Sequence, residues 1–391
     1  MQQRVNPVLL VLAAAAVLAL LGLPFVRVAP NRLVSGEAVY IVSVLNSTHA
    51  IDWFFAAAPL ALVLAAFAKP SRSVLGAVLA TSIALMVGLL WLAAQYASIN
   101  SQAASSIARV SLGVGFWSAA IFLALMASDA LQRLVATPLQ KTAAAAGVTA
   151  LLGALLASGW CDDLSIMKEY ANRVDGLATA LGRHLQIVGV AMAFTLAIGL
   201  SLGWVAHAST RVAALVFPVL NVVQTIPSIA LFGLLMAPLA LLAAFLPVLG
   251  AFGISGVGMA PAVIALTLYG LLPVVRGTLA GLQQVSAAQI NAARALGMAT
   301  WAVLRYVAAP LALPVVLGGV RTAAVAAVGL AAVTALIGAG GLGGIMFEGL
   351  FSNAQDVVLL GVLPIIALGV LMDGLFGALI SLAVRQARPH A

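Results

Sequence analysis

The sequence predicts an all-α, polytopic membrane protein of about ten transmembrane helices, and three observations predict it. Hydrophobic residues make up 64% of the 391 residues and charged residues only 7%, where a soluble domain carries roughly 25% charged. Apolar runs of 18 or more residues recur from end to end, with a mean hydropathy of +1.19 for the whole chain. Each run is long enough to cross about 30 Å of hydrocarbon as a helix. Ala, Leu and Gly dominate these runs, without the alternation that marks the strands of a membrane barrel.

The runs place helices near 8–24, 53–68, 73–95, 111–131, 142–160, 184–206, 212–240, 259–275, 311–336 and 357–384. Arg4 before the first run gives it the look of a signal peptide, but Val26, Arg27 and Val28 ahead of Ala29 offer no small-residue cleavage site, so it is expected to stay as the first helix. With the N-terminus inside, eleven basic residues fall in inside segments and six in outside ones, which favours both termini in the cytoplasm. The net charge of +8 is spread singly between apolar segments, so it reads as topology-setting charge and not as a nucleic-acid surface. Cys161 is the one cysteine, which excludes an intrachain disulfide. The polar stretch 161–183, expected to be an extracytoplasmic linker, divides the chain into an accessory bundle of about five helices over 1–160 and a core of about five over 184–384, followed by a basic cytoplasmic tail, 385–391.

Two spans are interrupted. The 212–240 run carries Asn221, Gln224, Thr225, Pro227 and Ser228 in mid-membrane, where a proline frees a carbonyl and polar groups face either a cavity or another helix. A lining for a translocation path and an interhelical polar clamp are both open readings. The Gly- and Pro-rich 241–258 is expected to fold back on the outer side. The stretch 276–310 is predicted to be cytoplasmic, yet Gln283, Gln284, Gln289, Asn291, Arg294 and Arg305 alternate with Val285, Ile290, Ala292, Ala293, Leu296 and Met298. A short helix, a turn at Gly297 that needs positive φ, and a second helix make a docking shape; a helix lying in the lipid interface is the alternative.

At this point the sequence resembles a family. Asn291-Ala292-Ala293, then Gly297, then Val307-x-Ala309-Pro310 is similar to the EAA loop of binding-protein-dependent ABC importer permeases, with Asn for Glu, Val for Ile, and Ala for the Leu before the proline. His184-Leu-Gln186, Asn221 to Ser228, Ala265 to Tyr269 with Leu272-Pro273, and Leu336 to Gly343 resemble permeases for glycine betaine, choline and related osmoprotectants, over about 180–384. Ala29 to Glu37 and Asp163 to Arg173 resemble the YehY-type subfamily, which carries extra N-terminal helices. The resemblance implies a type I importer permease core in the bacterial inner membrane. It implies a coupling helix formed by Asn291, Ala292, Ala293, Gly297, Val307 and Pro310 seated in a groove of a cytoplasmic ATPase, and an outer gate at Gly338, Gly340, Gly341 and Gly343. It also implies a soluble binding protein outside and a second permease copy or a related permease. With Asn291 in place of Glu, the salt bridge or cap that a Glu makes there is missing.

Other chemistry is weakly represented. Gly338-x-Gly340-x-x-Gly343 fits a dinucleotide fingerprint, but it ends an apolar span instead of linking a strand to an amphipathic helix. None of the three lysines stands in a phosphate-loop context, so ATP–Mg is expected on the partner ATPase and no cofactor on this chain. The four histidines lack metal-ligand spacing and no triad signature occurs, so neither a metal site nor an enzyme is expected. An ion-coupled secondary transporter needs ionisable groups at mid-membrane; only Asp373 lies well inside a span, with Asp129 near a helix end. A permease for another small solute, such as an amino acid, is the nearer alternative. Aromatics are only 6% of the chain, so cation–π selection of a quaternary ammonium is expected mainly on the binding protein. Arg321 and Asp373 fall at similar depth in antiparallel spans; they either pair, or Arg321 snorkels while Asp373 bonds a neighbouring polar group.

Overall fold

A computed structural model describes the chain except residues 1–5, 32, 33, 35, 49–51, 104–107, 135, 136, 252, 253 and 388–391. Arg4, Arg32, His49, Arg388 and His390 therefore lie outside the described residues. The chain divides into two compact units, Met1–Arg173 and Val174–Ala391.

The first unit runs α1 (Pro7–Gly22), β1 (Val26–Ala29), β2 (Glu37–Val39), α2 (Ile41–Thr48), α3 (Asp52–Ala65), α4 (Arg72–Ala103), β3 (Arg109–Leu112), α5 (Val114–Leu134), α6 (Pro138–Ala157) and α7 (Ser165–Ala171). Asn6 caps α1 by accepting from the Leu9 amide, and Pro7 fills the first helical position, where its missing N–H costs nothing. α5 packs against α1 and α4 around Leu85, Leu89, Leu92, Leu123 and Met126. A small sheet adds to the helical architecture without changing its class. Its order is β2-β1-β3, antiparallel, with Val26 opposite both Val39 and Leu112. Three or four residues per strand are too few to show a period of two in sequence, and two of the three strands lie some 80 residues from the third.

The stretch 161–183 is not a free linker. Cys161 and Leu164 are buried in the core of the first unit, and α7 packs on β3. Glu169 of α7 is 2% exposed and lies 3.9 Å from Arg109 and 3.6 Å from Arg173. Residues 174–183 belong to the second unit as the first turns of a 35-residue helix. At 1.5 Å per residue that helix is about 52 Å long, so its polar opening turns extend beyond the hydrocarbon.

The second unit contains α8 (Val174–Ala208), α9 (Thr210–Thr225), α10 (Ser228–Phe245), α11 (Pro247–Ala251), α12 (Met259–Gln283), α13 (Ala287–Ala295), α14 (Thr300–Val303), a π turn over Leu304–Ala308, α15 (Ala309–Ala331), a 3-10 turn over Val333–Ile337, α16 (Leu342–Phe351) and α17 (Gln355–Ala387). Seven helices of the described residues are long and apolar enough to cross a membrane, and shorter apolar ones include α1, α3, α9 and α16. The expected single helix 212–240 is two, α9 and α10, and Gly256, beyond α11, lies back against Met236 of α10.

α12 is the most buried of the long helices, with α8 on one side and α15 on another. Small residues allow both approaches. A Cβ on Gly203 falls 2.5 Å from the Thr278 Cβ, and one on Gly277 falls 3.0 Å from the Gly319 Cα. With no difference in apolarity between lipid and helix surface, this close backbone packing is what holds the core.

Candidate functional site

The break between α9 and α10 is set by Pro227, which pushes Ile226 into extended backbone (φ −73°, ψ 126°). A second proline, Pro273 inside α12, supplies no N–H to the Tyr269 carbonyl four residues earlier. Gln224 replaces that donor: its Nε2 donates to the Tyr269 carbonyl at 2.7 Å. The Tyr269 hydroxyl donates in turn to the Ile226 carbonyl, and Arg276 Nη2 donates to Asn221 Oδ1 at 2.7 Å. Two of the four polar side chains of the break thus reach across to α12. Thr225 turns back on the Val222 carbonyl of its own helix, Pro227 accepts from the Leu231 amide, and Ser228 starts α10. Asn221, Gln224 and Thr225 remain exposed at the surface of the unit.

α12 continues to Gln283, so Arg276 stands inside the helix and not in a loop. The projecting segment begins at Ser286, whose Oγ accepts from the Gln289 amide at 3.3 Å while Gln289 Oε1 accepts from the Ser286 amide at 3.0 Å. This reciprocal box starts α13. At its end Gly297 has φ +80°; the Met298 amide donates to the Ala293 carbonyl at 3.2 Å and the Gly297 amide to Arg294 at 2.9 Å. That pair of bonds is the Schellman stop, which requires a left-handed residue at Gly297. α14 then leads into the π turn, where the Ala309 amide reaches the Leu304 carbonyl five residues back. The wider turn makes room for Pro310, whose ring clashes with the carbonyl four residues earlier in a regular helix.

Asn291 and Ala292 are exposed on α13, Ala293 is buried, and Val307 is half-buried in the π turn. A Cβ on Gly297 meets nothing within 4 Å, so its backbone angle, and not close approach within the chain, fixes glycine there. Leu296, Trp301 and Tyr306 are 83%, 66% and 67% exposed around this turn. Three large apolar side chains held open by a capped scaffold form a surface shaped for another molecule.

The glycine turn after α15 is equally constrained. Gly338, Gly340 and Gly341 all have positive φ, and a Cβ on Gly343 falls 1.8 Å from the Ala332 carbonyl oxygen. α8 holds the turn: Arg183 Nε donates to the Ala339 carbonyl at 3.0 Å, and His184 Nε2 lies 3.1 Å from the Val328 carbonyl. A carbonyl only accepts, so Nε2 carries the proton. The Gly258 amide closes the other side on Ile337 at 2.7 Å. Sequence reading missed the roles of Arg183 and His184 because their partners lie 156 and 144 residues away. Arg321 and Asp373 join α15 to α17 through two parallel bonds, Nε–Oδ1 and Nη2–Oδ2, each 2.6 Å, with side chains 40% and 48% exposed.

Long apolar helices closely packed through glycines, a helix break at a proline with polar side chains beside it, and a capped segment projecting an apolar surface define a polytopic membrane protein with a docking surface. The chain belongs to the family of binding-protein-dependent transport system inner membrane components, whose sequence model spans residues 195–382. Residues 3–167 match the N-terminal domain of the ABC transporter permease YehY. Among similar proteins, the osmoprotectant import permease protein OsmW of Salmonella typhimurium is 38% identical over 51% of this chain and 87% of its own. The carnitine transport permease protein OpuCD of Listeria monocytogenes is 34% identical over 50% of this chain and 81% of its own. The choline transport system permease protein OpuBD of Bacillus subtilis is 33% identical over 53% and 85%. The protein is accordingly a multi-pass permease subunit of an inner-membrane ABC transporter.

Proposed function

We propose that the chain is the permease subunit of an ATP-driven importer for osmoprotectants such as glycine betaine or related quaternary amines. A soluble binding protein delivers the solute at the outer face, two permease subunits enclose the path, and ATP–Mg on two cytoplasmic ATPase subunits drives the change of access. Both termini are cytoplasmic in this reading. The names of the relatives support the solute class. The observation that carries the mechanical part is the capped segment 286–310, whose exposed Leu296, Trp301 and Tyr306 need a cover. We assign Asn291, Ala292, Ala293, Gly297, Val307 and Pro310 to ATPase coupling: Asn291, Ala292, Gly297 and Pro310 face the ATPase, and buried Ala293 and half-buried Val307 hold that surface in place. Asn221, Gln224, Thr225, Pro227 and Ser228 line or brace the path, and the Gly338–Gly343 turn, fixed by Arg183 and His184, forms the outer gate. Co-expression with the candidate ATPase tests this. The two co-purify from detergent, and Leu296→Ser with Trp301→Ser abolishes the association without loss of the permease from the membrane. Retention of the ATPase by that double variant overturns the assignment.

A further inference from the structure

The second unit has one flank that does not suit lipid. Gly277 and Gly319 bring α12 and α15 into backbone contact, and Gly281 meets Ala312 one turn on, so the helices are antiparallel and Arg276 stands level with Arg321. α8 covers one side of this pair: its Gly199 and Gly203 meet Val274 and Thr278, and Met192 and Leu196 pack on Val320 and Ala323. At 100° per residue, Arg276 of α12 and Thr322 and Ala326 of α15 point to the opposite flank, and all three are exposed. The surface of α9 and α10 elsewhere carries Leu215, Val219, Leu234, Leu241 and Phe245, as a lipid face does. The α12–α15 flank instead carries small and hydroxyl side chains between two polar pairs, Asn221–Arg276 at one edge and Arg321–Asp373 at the other.

The charges on this flank do not balance. Arg321 and Asp373 cancel each other through a bidentate contact. Arg276 lies about 10 Å inside the end of α12; its one bond is to a neutral amide oxygen, and among the described residues it has no acidic partner. A guanidinium offers five N–H donors in a planar fork that matches a carboxylate, and the one neutral acceptor on Arg276 leaves most of that fork open. We propose that Arg276, steadied by Asn221, is the carboxylate anchor of a solute site on the permease itself, so that the path favours small zwitterions bearing a carboxylate over cations lacking one. This rests on the importer reading above and adds a selection step inside the membrane.

The test is calorimetric titration of the purified permease–ATPase complex, without binding protein, using glycine betaine and choline, which share the quaternary ammonium and differ in the carboxylate. Wild type binds glycine betaine at least about tenfold more tightly than choline, in line with a charge-assisted pair. Arg276→Gln removes that difference with the complex intact by size exclusion. Arg276→Lys, which keeps the charge and loses the planar fork, retains part of the preference; this separates charge recognition from a purely structural role. Equal affinities in wild type, no binding of either solute, or a preference that survives Arg276→Gln overturns the proposal. So does loss of co-purifying anionic lipid in Arg276→Gln with solute preference unchanged, which assigns the arginine to a headgroup phosphate. None of these outcomes touches the importer reading, which stands or falls on ATP-driven uptake with the binding protein present.

Discussion

Replacing Gly297 isolates what the turn contributes to ATPase docking. Its φ of +80° is left-handed, and a Cβ built there meets nothing within 4 Å. The cost of substitution is therefore conformational: about 1–2 kcal/mol for a residue with a Cβ in the left-handed region, equivalent to roughly a 5- to 30-fold loss of the docking-competent turn. Because the chain leaves open space around the position, this cost is the same for Ala and for Leu, and smaller for Asn, which tolerates left-handed backbone. The assay is the affinity of the detergent-solubilised permease for the purified ATPase, with thermal unfolding of the membrane core as a control. Gly297→Ala weakens binding about 5- to 30-fold, Gly297→Asn less, and the core melts as in wild type. Any loss with Leu beyond that with Ala measures contact between the turn and the ATPase. Wild-type affinity in Gly297→Ala refutes the backbone argument.

Other predictions rest on packing and on charge. Gly319→Ala places a Cβ 2.4 Å from the Pro273 carbonyl oxygen, so the α12–α15 contact must open and the protein loses about 1–3 kcal/mol, read as a lower melting temperature in detergent. Gln224→Leu strips the Tyr269 carbonyl of its substitute donor and costs about 1–3 kcal/mol, seen in the same assay. Neutralising Arg321 or Asp373 singly lowers stability by about 2 kcal/mol, and the exchange Arg321→Asp with Asp373→Arg recovers most of it; a swap no better than the singles contradicts the direct pair. Burial, with Asp162 adding to it, holds the Cys161 thiol above its ordinary pKa, so maleimide labelling at neutral pH is slow in the folded protein and fast after denaturation.

The helices were legible because apolar runs of membrane length admit little else. The break at Pro227 and the turn at Gly297 were legible because proline and glycine mark backbone geometry directly. What escaped the sequence is pairing over long separations. Gln224 reads as an isolated polar residue until Pro273 is seen to have left the Tyr269 carbonyl without its donor. Arg276 reads as a loop charge because arginine weighs against a span, yet α12 runs seven residues beyond it. The 161–183 stretch reads as a linker because its polarity ends an apolar run, while α8 extends past the hydrocarbon and keeps its polar turns helical. The small sheet is invisible because four-residue strands carry no periodicity of their own.

The central claim is directional, ATP-driven movement of an osmoprotectant through this permease. Proteoliposomes containing the permease–ATPase complex, with binding protein on the outer side and ATP–Mg enclosed, measure it directly through uptake of labelled glycine betaine. Glycine betaine accumulates above its external concentration only with all three components present, and accumulation stops with Leu296→Ser and Trp301→Ser together. Uptake that proceeds without ATP, or that follows a proton or sodium gradient instead, contradicts the claim.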